Sequence, residues 1–381
     1  MTRRGRCRAL ALVAVAIWTA PAAASDAPPG DTRPDVVLVL SDDLGPGDLS
    51  CTGGKTPTPN IDRMAREGTR LTRYYSASPI CSPSRCGLIT GQFPGRWRIT
   101  SFLQTRAGNR ACGQADFLDP AAPSLPRALQ SAGYRTAHVG KWHLGGGRDV
   151  RDAPRFAAYG YDRGLGTWES PEPHPDLTAK DWIWSPDDPA RRWDRSRWMV
   201  DQTLDFLTAD PARPCFVNLW LDDPHTPWVP SADDQQVGPG GRANGKGDTP
   251  ARLAKVLSEM DRQVGRLLDA ARGRKGGRPV VVLFLSDNGP LPTFKRARTT
   301  GLRGSKLSLY EGGIRLPFIA WGPGLVPAGV TNDATVLAAV DLFPSLCRLC
   351  GAKVPAGVTP DGEDLSPVLL GKTPRRTAPL F

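Results

Sequence analysis

Asp42, Asp43, Asp287 and Asn288 bring three carboxylates and one amide oxygen directly behind two short apolar runs, 35–41 (DVVLVLS) and 279–286 (PVVVLFLS). All four are hard oxygen donors, a set that suits Ca²⁺ or Mg²⁺ and not zinc or copper, which recruit His or Cys. Ca²⁺ is favoured over Mg²⁺, because carboxylate, amide and substrate oxygens with few waters fit the larger ion's flexible geometry. A cation held there clamps the oxygens of a phosphate or sulfate ester and stabilises charge that develops as the ester reacts. Without a cation the carboxylates repel one another. Lys141 and His143 follow the run 134–140, His225 follows the run 215–221, and Lys306 is a further cation. Together they supply positive charge and a general acid for an oxyanion ester. The mature chain has His only at 138, 143, 174 and 225, so two of four fall where a run ends.

The elements that must position these groups are readable from periodicity. The four runs are β-branched and short, a fifth lies at 316–321, and helical patterns cover 58–68, 123–132, 196–209, 250–273 and 333–350. Strands alternating with helices predict an α/β fold with a mostly parallel sheet covered on both faces. Ligands of such sheets bind at the carboxyl ends of the strands. Any single Asp there is equally a helix N-cap, but Lys and His suit that position poorly. Residues 144–198 and 226–250, rich in Pro, Gly and charge, read as long loops over the same edge.

The chain has 381 residues, 40% apolar and 23% charged, which excludes a disordered chain, a fibrous repeat and a small disulfide scaffold. Arg3, Arg4, Arg6 and Arg8, the apolar run 9–19 and Ala22-Ala23-Ala24 predict a signal peptide over residues 1–24. Its apolar run is shorter than the roughly 20 residues of a spanning helix. No later stretch is longer, so residues 25–381 are expected to be exported, periplasmic or extracellular, with no membrane attachment after cleavage. Without the leader the balance is +7 over 357 residues, which suits an anionic substrate. No nucleic-acid motif accompanies it: the basic clusters at 272–278 and at Arg375-Arg376 read as solvated loops. Of eight cysteines Cys7 lies in the leader; with Cys81 set aside, the other six allow up to three bridges. Cys347 and Cys350 form a lone CxxC, weak as a zinc or redox motif.

Cys81 sits at a turn that opens a helix, with Arg85 one turn on, a setting that stabilises an anion or thiolate, although the residues alone favour a plain buried cysteine in a turn. The segment Cys81-Ser82-Pro83-Ser84-Arg85 followed by Leu88-Ile89-Thr90-Gly91 resembles the signature of the sulfatase family, whose cysteine is oxidised to formylglycine by a dedicated maturation enzyme. Further segments match in family order: Ser41-Asp42-Asp43-Leu44-Gly45, Pro59-Asn60-Ile61-Asp62, Gly140-Lys141-Trp142-His143, Pro224-His225-Thr226-Pro227, Ser286-Asp287-Asn288-Gly289, Leu302-Arg303-Gly304-Ser305-Lys306 and Tyr310-Glu311-Gly312-Gly313. The resemblance covers roughly residues 34–370.

It implies the alkaline-phosphatase-like fold and a formylglycine-dependent sulfuric ester hydrolase. By position, Asp42, Asp43, Asp287 and Asn288 would hold Ca²⁺ with the modified Cys81 completing the site. Arg85 would orient the formylglycine, Lys141 and Lys306 would bind sulfate oxygens, His225 would give the leaving alcohol its proton, and His143 would assist sulfate release. There are two departures. The chain ends at Phe381, where the family usually continues into a small C-terminal subdomain, so that part is expected to be absent or truncated. Gly45-Pro46-Gly47 lacks the family's frequent central aromatic. A phosphonate or phosphate ester hydrolase and an inert sulfated-glycan binder are the alternatives. Trp168, Trp182, Trp184, Trp193 and Trp198, with Arg191, Arg192, Arg195 and Arg197, either stack on and pair with a sulfated carbohydrate or pin their loop to the domain.

Overall fold

Apolar residues fill both faces of the central strands and build two cores at once. The computed structural model describes residues 32–180, 182–238, 242–245, 247–274 and 277–380; the leader expected over 1–24 lies outside them. The strands are β1 (Asp35–Ser41), β2 (Thr69–Tyr75), β3 (Arg135–Gly140), β4 (Arg163–Gly166), β5 (Cys215–Trp220), β6 (Gln235–Gly238), β7 (Arg242–Gly245), β8 (Val280–Ser286), β9 (Arg315–Trp321), β10 (Val330–Asn332) and β11 (Leu337–Ala338). Nine of them form one sheet in the order β10-β2-β9-β8-β1-β5-β3-β4, with β11 also on β2; β6 and β7 make a separate hairpin. The pairs β8-β1-β5-β3-β4 are parallel, whereas β9 runs antiparallel to both its neighbours. This is the mostly parallel α/β sheet that the sequence predicts.

The helices are α1 (Pro59–Arg66), α2 (Cys81–Thr90), α3 (Arg106–Ala111), α4 (Leu125–Ser131), α5 (Arg195–Thr208), α6 (Pro250–Gly273), α7 (Glu311–Ile314), α8 (Leu342–Leu349) and α9 (Ser366–Leu369). Val36, Leu38 and Leu40 of β1 join Leu88, Leu129, Phe343 and Val368 in one core; Val37 and Val39 join Met64, Val200, Phe206, Leu257 and Leu268 in the other. A period of two along a strand thus buries both faces, as a helix-covered sheet requires.

Several expected boundaries move. The helical pattern at 333–350 becomes an α-helix only from Leu342, after a 3-10 turn at Ala339–Asp341, because Asn332 Oδ1 accepts from the backbone of Ala334 and Thr335, and Asp341 Oδ2 from that of Ala338. Such local side-chain bonds compete with the helical ladder. β2 was hidden by its Thr and Arg residues, and the expected loops contain β4 and the β6–β7 hairpin. Among the described residues no disulfide forms: Cys51, Cys81, Cys86, Cys112, Cys215, Cys347 and Cys350 are all free. Cys86, Cys215, Cys347 and Cys350 are buried as small apolar residues of the cores. Among the described residues no helix is long and apolar enough to cross a membrane.

His138 of β3 is fully buried, stacked on Phe156 at 4.9 Å and edge-on to Trp142, Tyr161 and Trp220. Its Nε2–H donates to Gly140 O at 3.2 Å. Burial pushes its pKa down from 6.5 to about 3. The folded value lies below the unfolded one, so the stability of the neutral form is complete above pH 6.5 and is lost as pH falls toward 3. We expect His138→Phe to reduce the stability difference between pH 7 and pH 5 by about 2 kcal/mol, measured by urea unfolding at the two pH values. An unchanged difference would refute a neutral buried His138.

Candidate active site

Register brings the ionisable groups together. Ser41 pairs with Ser286, Leu40 with Trp220 and Gly140 with Trp220, so β1, β8, β5 and β3 end level and release their next residues onto one edge. Asp42 N donates to Asp223 O, and Asp287 N to Ser41 O, each at 3.1 Å. Asp43 turns through the left-handed region at φ 64°, which directs its backbone N–H to Asp287 Oδ1 at 3.2 Å. Asn288 Nδ2 donates to Asp43 Oδ1 at 2.7 Å, and its Oδ1 is buried without a hydrogen-bond partner.

Three buried carboxylates and an orphaned amide oxygen fit a hard divalent cation. Ligand atoms of Asp42, Asp43 and Cys81 lie within 4.8 Å of one another. Burial, with Asp42 beside it, pushes the Asp287 carboxyl up to about 7 against the pull of Arg85. Burial also acts to raise Asp42, but Lys141, His225 and Arg85 outweigh it and hold that carboxyl well below the usual range.

Helix α2 supplies the remaining floor. Its first residue is Cys81, and Pro83 sits in the first turn, where a missing N–H costs nothing because no intrahelical acceptor exists for it. Gly91 ends the helix at φ 66°, where a Cβ would strike Phe343. Arg85 is buried: Nε and Nη2 donate to Asp287 Oδ2 at 3.0 and 2.7 Å, Nη1 to Lys141 O at 2.8 Å, and Nη2 stands 3.6 Å from Asp42. The Cys81 thiol lies 3.5 Å from Asp42 Oδ1 and 3.7 Å from Lys141 Nζ. Of the two readings of Cys81 the structure carries the buried cysteine: burial pushes the thiol up, and Lys141 and Lys306 only partly counter it. Arg85 is committed to Asp287 and not to the sulfur.

Lys141 Nζ is paired with Asp42, and Lys306 Nζ donates to Asp43 Oδ2 at 2.8 Å. Lys306 also stands 3.5 Å from His225 Nε2. His225 Nδ1 is 2.6 Å from Thr226 O; a carbonyl only accepts, so Nδ1 carries the hydrogen and Nε2 of the neutral ring is an acceptor. Burial lowers the His225 pKa, although Asp42 and Asp43 oppose it. His143 is fixed the other way: Nε2–H donates to Leu103 O at 3.0 Å, Nδ1 is buried without a partner, and burial lowers its pKa to about 4.

Cys81, Asp42, Lys141, His143, His225 and Lys306 all line one cavity of about 320 Å³. Among the tryptophans singled out in the sequence only Trp184 lines it, with Nε1 on Asp222 at 3.4 Å. Trp168 and Trp182 pack on each other, and Trp198 packs on His174. Arg192 is buried against Asp223 and His225 O, and Arg195 against Asp188 and Asp222. These two arginines therefore hold loops in place and do not face a polymer, while Arg197 is exposed beside Asp194. The cavity also contains Arg148 and Glu169, which sequence reasoning missed: they stand in an aperiodic insertion, and only the run Gly145-Gly146-Gly147 before Arg148 signals an unusual backbone.

The Sulfatase family model matches residues 34–352. N-acetylgalactosamine-6-sulfatase of Mus musculus is 32% identical over 368 residues, 88% of this chain and 66% of the relative. Arylsulfatase A of Homo sapiens is 32% identical over 376 residues, 90% and 69% of the two chains. The chain thus spans about two thirds of the length of these curated relatives. Among solved structures, Ps i-CgsB in complex with k-i-k-neocarrahexaose superposes with a TM-score of 0.72 at 26% identity, over 88% of this chain and 76% of that one.

Proposed function

The chain belongs to the sulfatase family, and on that premise we propose that it is an exported hydrolase of sulfate esters whose nucleophile is made from Cys81. The observation that carries this reading is Cys81 itself, at the start of α2, lining a cavity shared with Asp42, Lys141, His143, His225 and Lys306. A formylglycine at residue 81, installed by a maturation enzyme, supplies the oxygen nucleophile, and Ca²⁺ on Asp42, Asp43, Asp287 and Asn288 supplies positive charge for the sulfate oxygens. Arg85 holds Asp287 and the end of β3 in place through its three donors. Lys141 and Lys306 direct their ammonium groups toward the same oxyanion. The leaving alkoxide takes its proton from Nζ of Lys306; His225, the donor expected from the sequence, has its ring hydrogen on Thr226 O in the neutral form and stands 3.5 Å from that Nζ with Nε2 as an acceptor. His143, with its Nδ1 bare and kept neutral by burial, accepts a proton when sulfate is expelled.

The substrate is a sulfated carbohydrate in this reading, supported by the carbohydrate bound to Ps i-CgsB and by the sugar named for the murine relative. Residues 1–24 are its leader and 25–381 one catalytic domain. The test is sulfate release from sulfated oligosaccharides and from an aryl sulfate, beside phosphonate release from the matching aryl ester. Chelation should remove activity by at least about a hundredfold, with Ca²⁺ restoring it better than Mg²⁺. Activity that survives exhaustive chelation would refute the metal's role, and preference for the phosphonate would refute the sulfatase reading.

A further inference from the structure

The cavity that Cys81 lines also carries an ion pair that the hydrolysis itself does not use, formed by half-buried Arg148 and buried Glu169. Arg148 Nη2 donates to Glu169 Oε1 at 2.6 Å, and the guanidinium lies over the Trp168 ring at 5.5 Å. The backbone is forced into an uncommon shape to place it. Gly145, Gly146 and Gly147 have φ of 119°, 95° and 69°, and Arg148 follows at 53°. A Cβ on Gly146 would meet the Ser170 carbonyl carbon at 2.3 Å, and one on Gly147 the Trp168 oxygen at 2.5 Å. The segment therefore lies flat on residues 168–170, and only glycines permit that approach. A non-glycine residue in the left-handed region is strained and persists where surrounding structure fixes it, most often at ligand sites.

The chemistry of the wall narrows what it reads. Ile80, Phe102, Ile183, Trp184, Leu291 and Leu307 make most of it apolar. Asp222, the other acid there apart from Asp42, is committed to Arg195 at 3.0 Å. Arg148 and Glu169 thus add a fork of donors and a carboxylate acceptor with no net charge. Glu169 is 7% exposed and its Oε2 stands 3.5 Å from His143 Nε2; Arg148 Nε is buried without a hydrogen-bond partner. A second sulfate on the ring seated here would face Glu169, while an uncharged ring offers C–H faces to the apolar wall and hydroxyls to the pair.

We propose that Arg148 and Glu169 form a hydroxyl-reading pair that selects a pyranose carrying a single sulfate, recognised through a free hydroxyl adjacent to the sulfated carbon. This rests on the sulfatase reading above and deepens it. Glu169 accepts from that hydroxyl and Arg148 donates to its oxygen or to the next one.

The experiment compares kcat/KM of the matured, Ca²⁺-loaded enzyme on a monosulfated pyranose, on its analogue deoxygenated beside the sulfate, and on 4-nitrophenyl sulfate. A site built to bond a hydroxyl rejects the analogue lacking it, so the wild type should lose at least about tenfold on the deoxy sugar. Arg148→Met should lose about as much on the parent sugar and keep only the part of the distinction between the two sugars that the Glu169 acceptor carries, raising its preference for the aryl ester. Should the methionine variant not fold, Arg148→Lys keeps the charge without the fork, and the hydroxyl preference should fall at least about threefold. A proportional loss on all three esters, or a hydroxyl preference unchanged in the variant, would overturn the proposal and leave Arg148 as a support for His143. Absence of sulfate release by the wild type from every ester would overturn the hydrolase reading, and this one with it.

Discussion

Cys81→Ala should lower sulfate release by on the order of 10⁴-fold or more, with the fold retained. Residue 81 is the first of α2, and alanine suits a helical first turn, so the loss of one buried sulfur leaves the Asp42–Arg85–Asp287 cluster in place. The unmodified thiol is a poor substitute for an oxygen nucleophile here. Burial pushes its pKa up, and Asp42 at 3.5 Å disfavours a thiolate. A thiol also lacks the second hydroxyl with which an aldehyde hydrate expels sulfate. Peptide mass spectrometry of active protein, made beside a maturation enzyme, should show the Cys81 peptide lighter by the thiol-to-aldehyde change. Undiminished turnover in Cys81→Ala, or active protein holding only the plain thiol, would refute the assignment.

The parts legible in the sequence are those that a period or a strand end dictates. The apolar stretches of β1 (Val and Leu) and β8 (Val, Leu and Phe) are buried on both faces, so their runs stand out, and their paired ends Ser41 and Ser286 deliver Asp42 and Asp287 side by side. α6 is legible for the same reason: it carries apolar residues at helical spacing, and Thr249 caps it by accepting from Arg252 N. What escaped was set by tertiary contact. β2 pairs Thr, Arg and Tyr with β9 and carries a register shift between Leu71 and Tyr74, which no alternation announces. Arg192 and Arg195 looked like surface cations because their partners, Asp223, Asp222 and Asp188, are reached only when the loop folds back. Most of the tryptophans around them pack for the same reason, since an aperiodic insertion needs large side chains to hold it.

Arg85→Met should be the most destabilising single change in the site, by about 3–5 kcal/mol. The side chain is fully buried, neutralises Asp287 through two nitrogens, reaches toward Asp42 at 3.6 Å and lies over the Trp220 ring at 5.1 Å. Methionine keeps much of the packing on Trp220 but leaves Asp287 without its nearest fixed cation and takes a second cation away from Asp42, which keeps Lys141. Lysine is no conservative replacement, since one ammonium cannot bond both Asp287 Oδ2 and Lys141 O in the geometry of the guanidinium fork. The cost should also depend on pH in chelated protein. Asp287 is already pushed up to about 7 from 3.8, by burial and Asp42, and loss of Arg85 pushes it further. A folded pKa above the unfolded one means that stability is greatest where the group is protonated and is lost as pH rises through the folded value. The gap between wild type and Arg85→Met should therefore be wider at pH 8 than at pH 5, read from urea unfolding in chelator. A loss below about 1 kcal/mol, or a gap that narrows as pH rises, would show that the carboxylates do not depend on Arg85 for their charge.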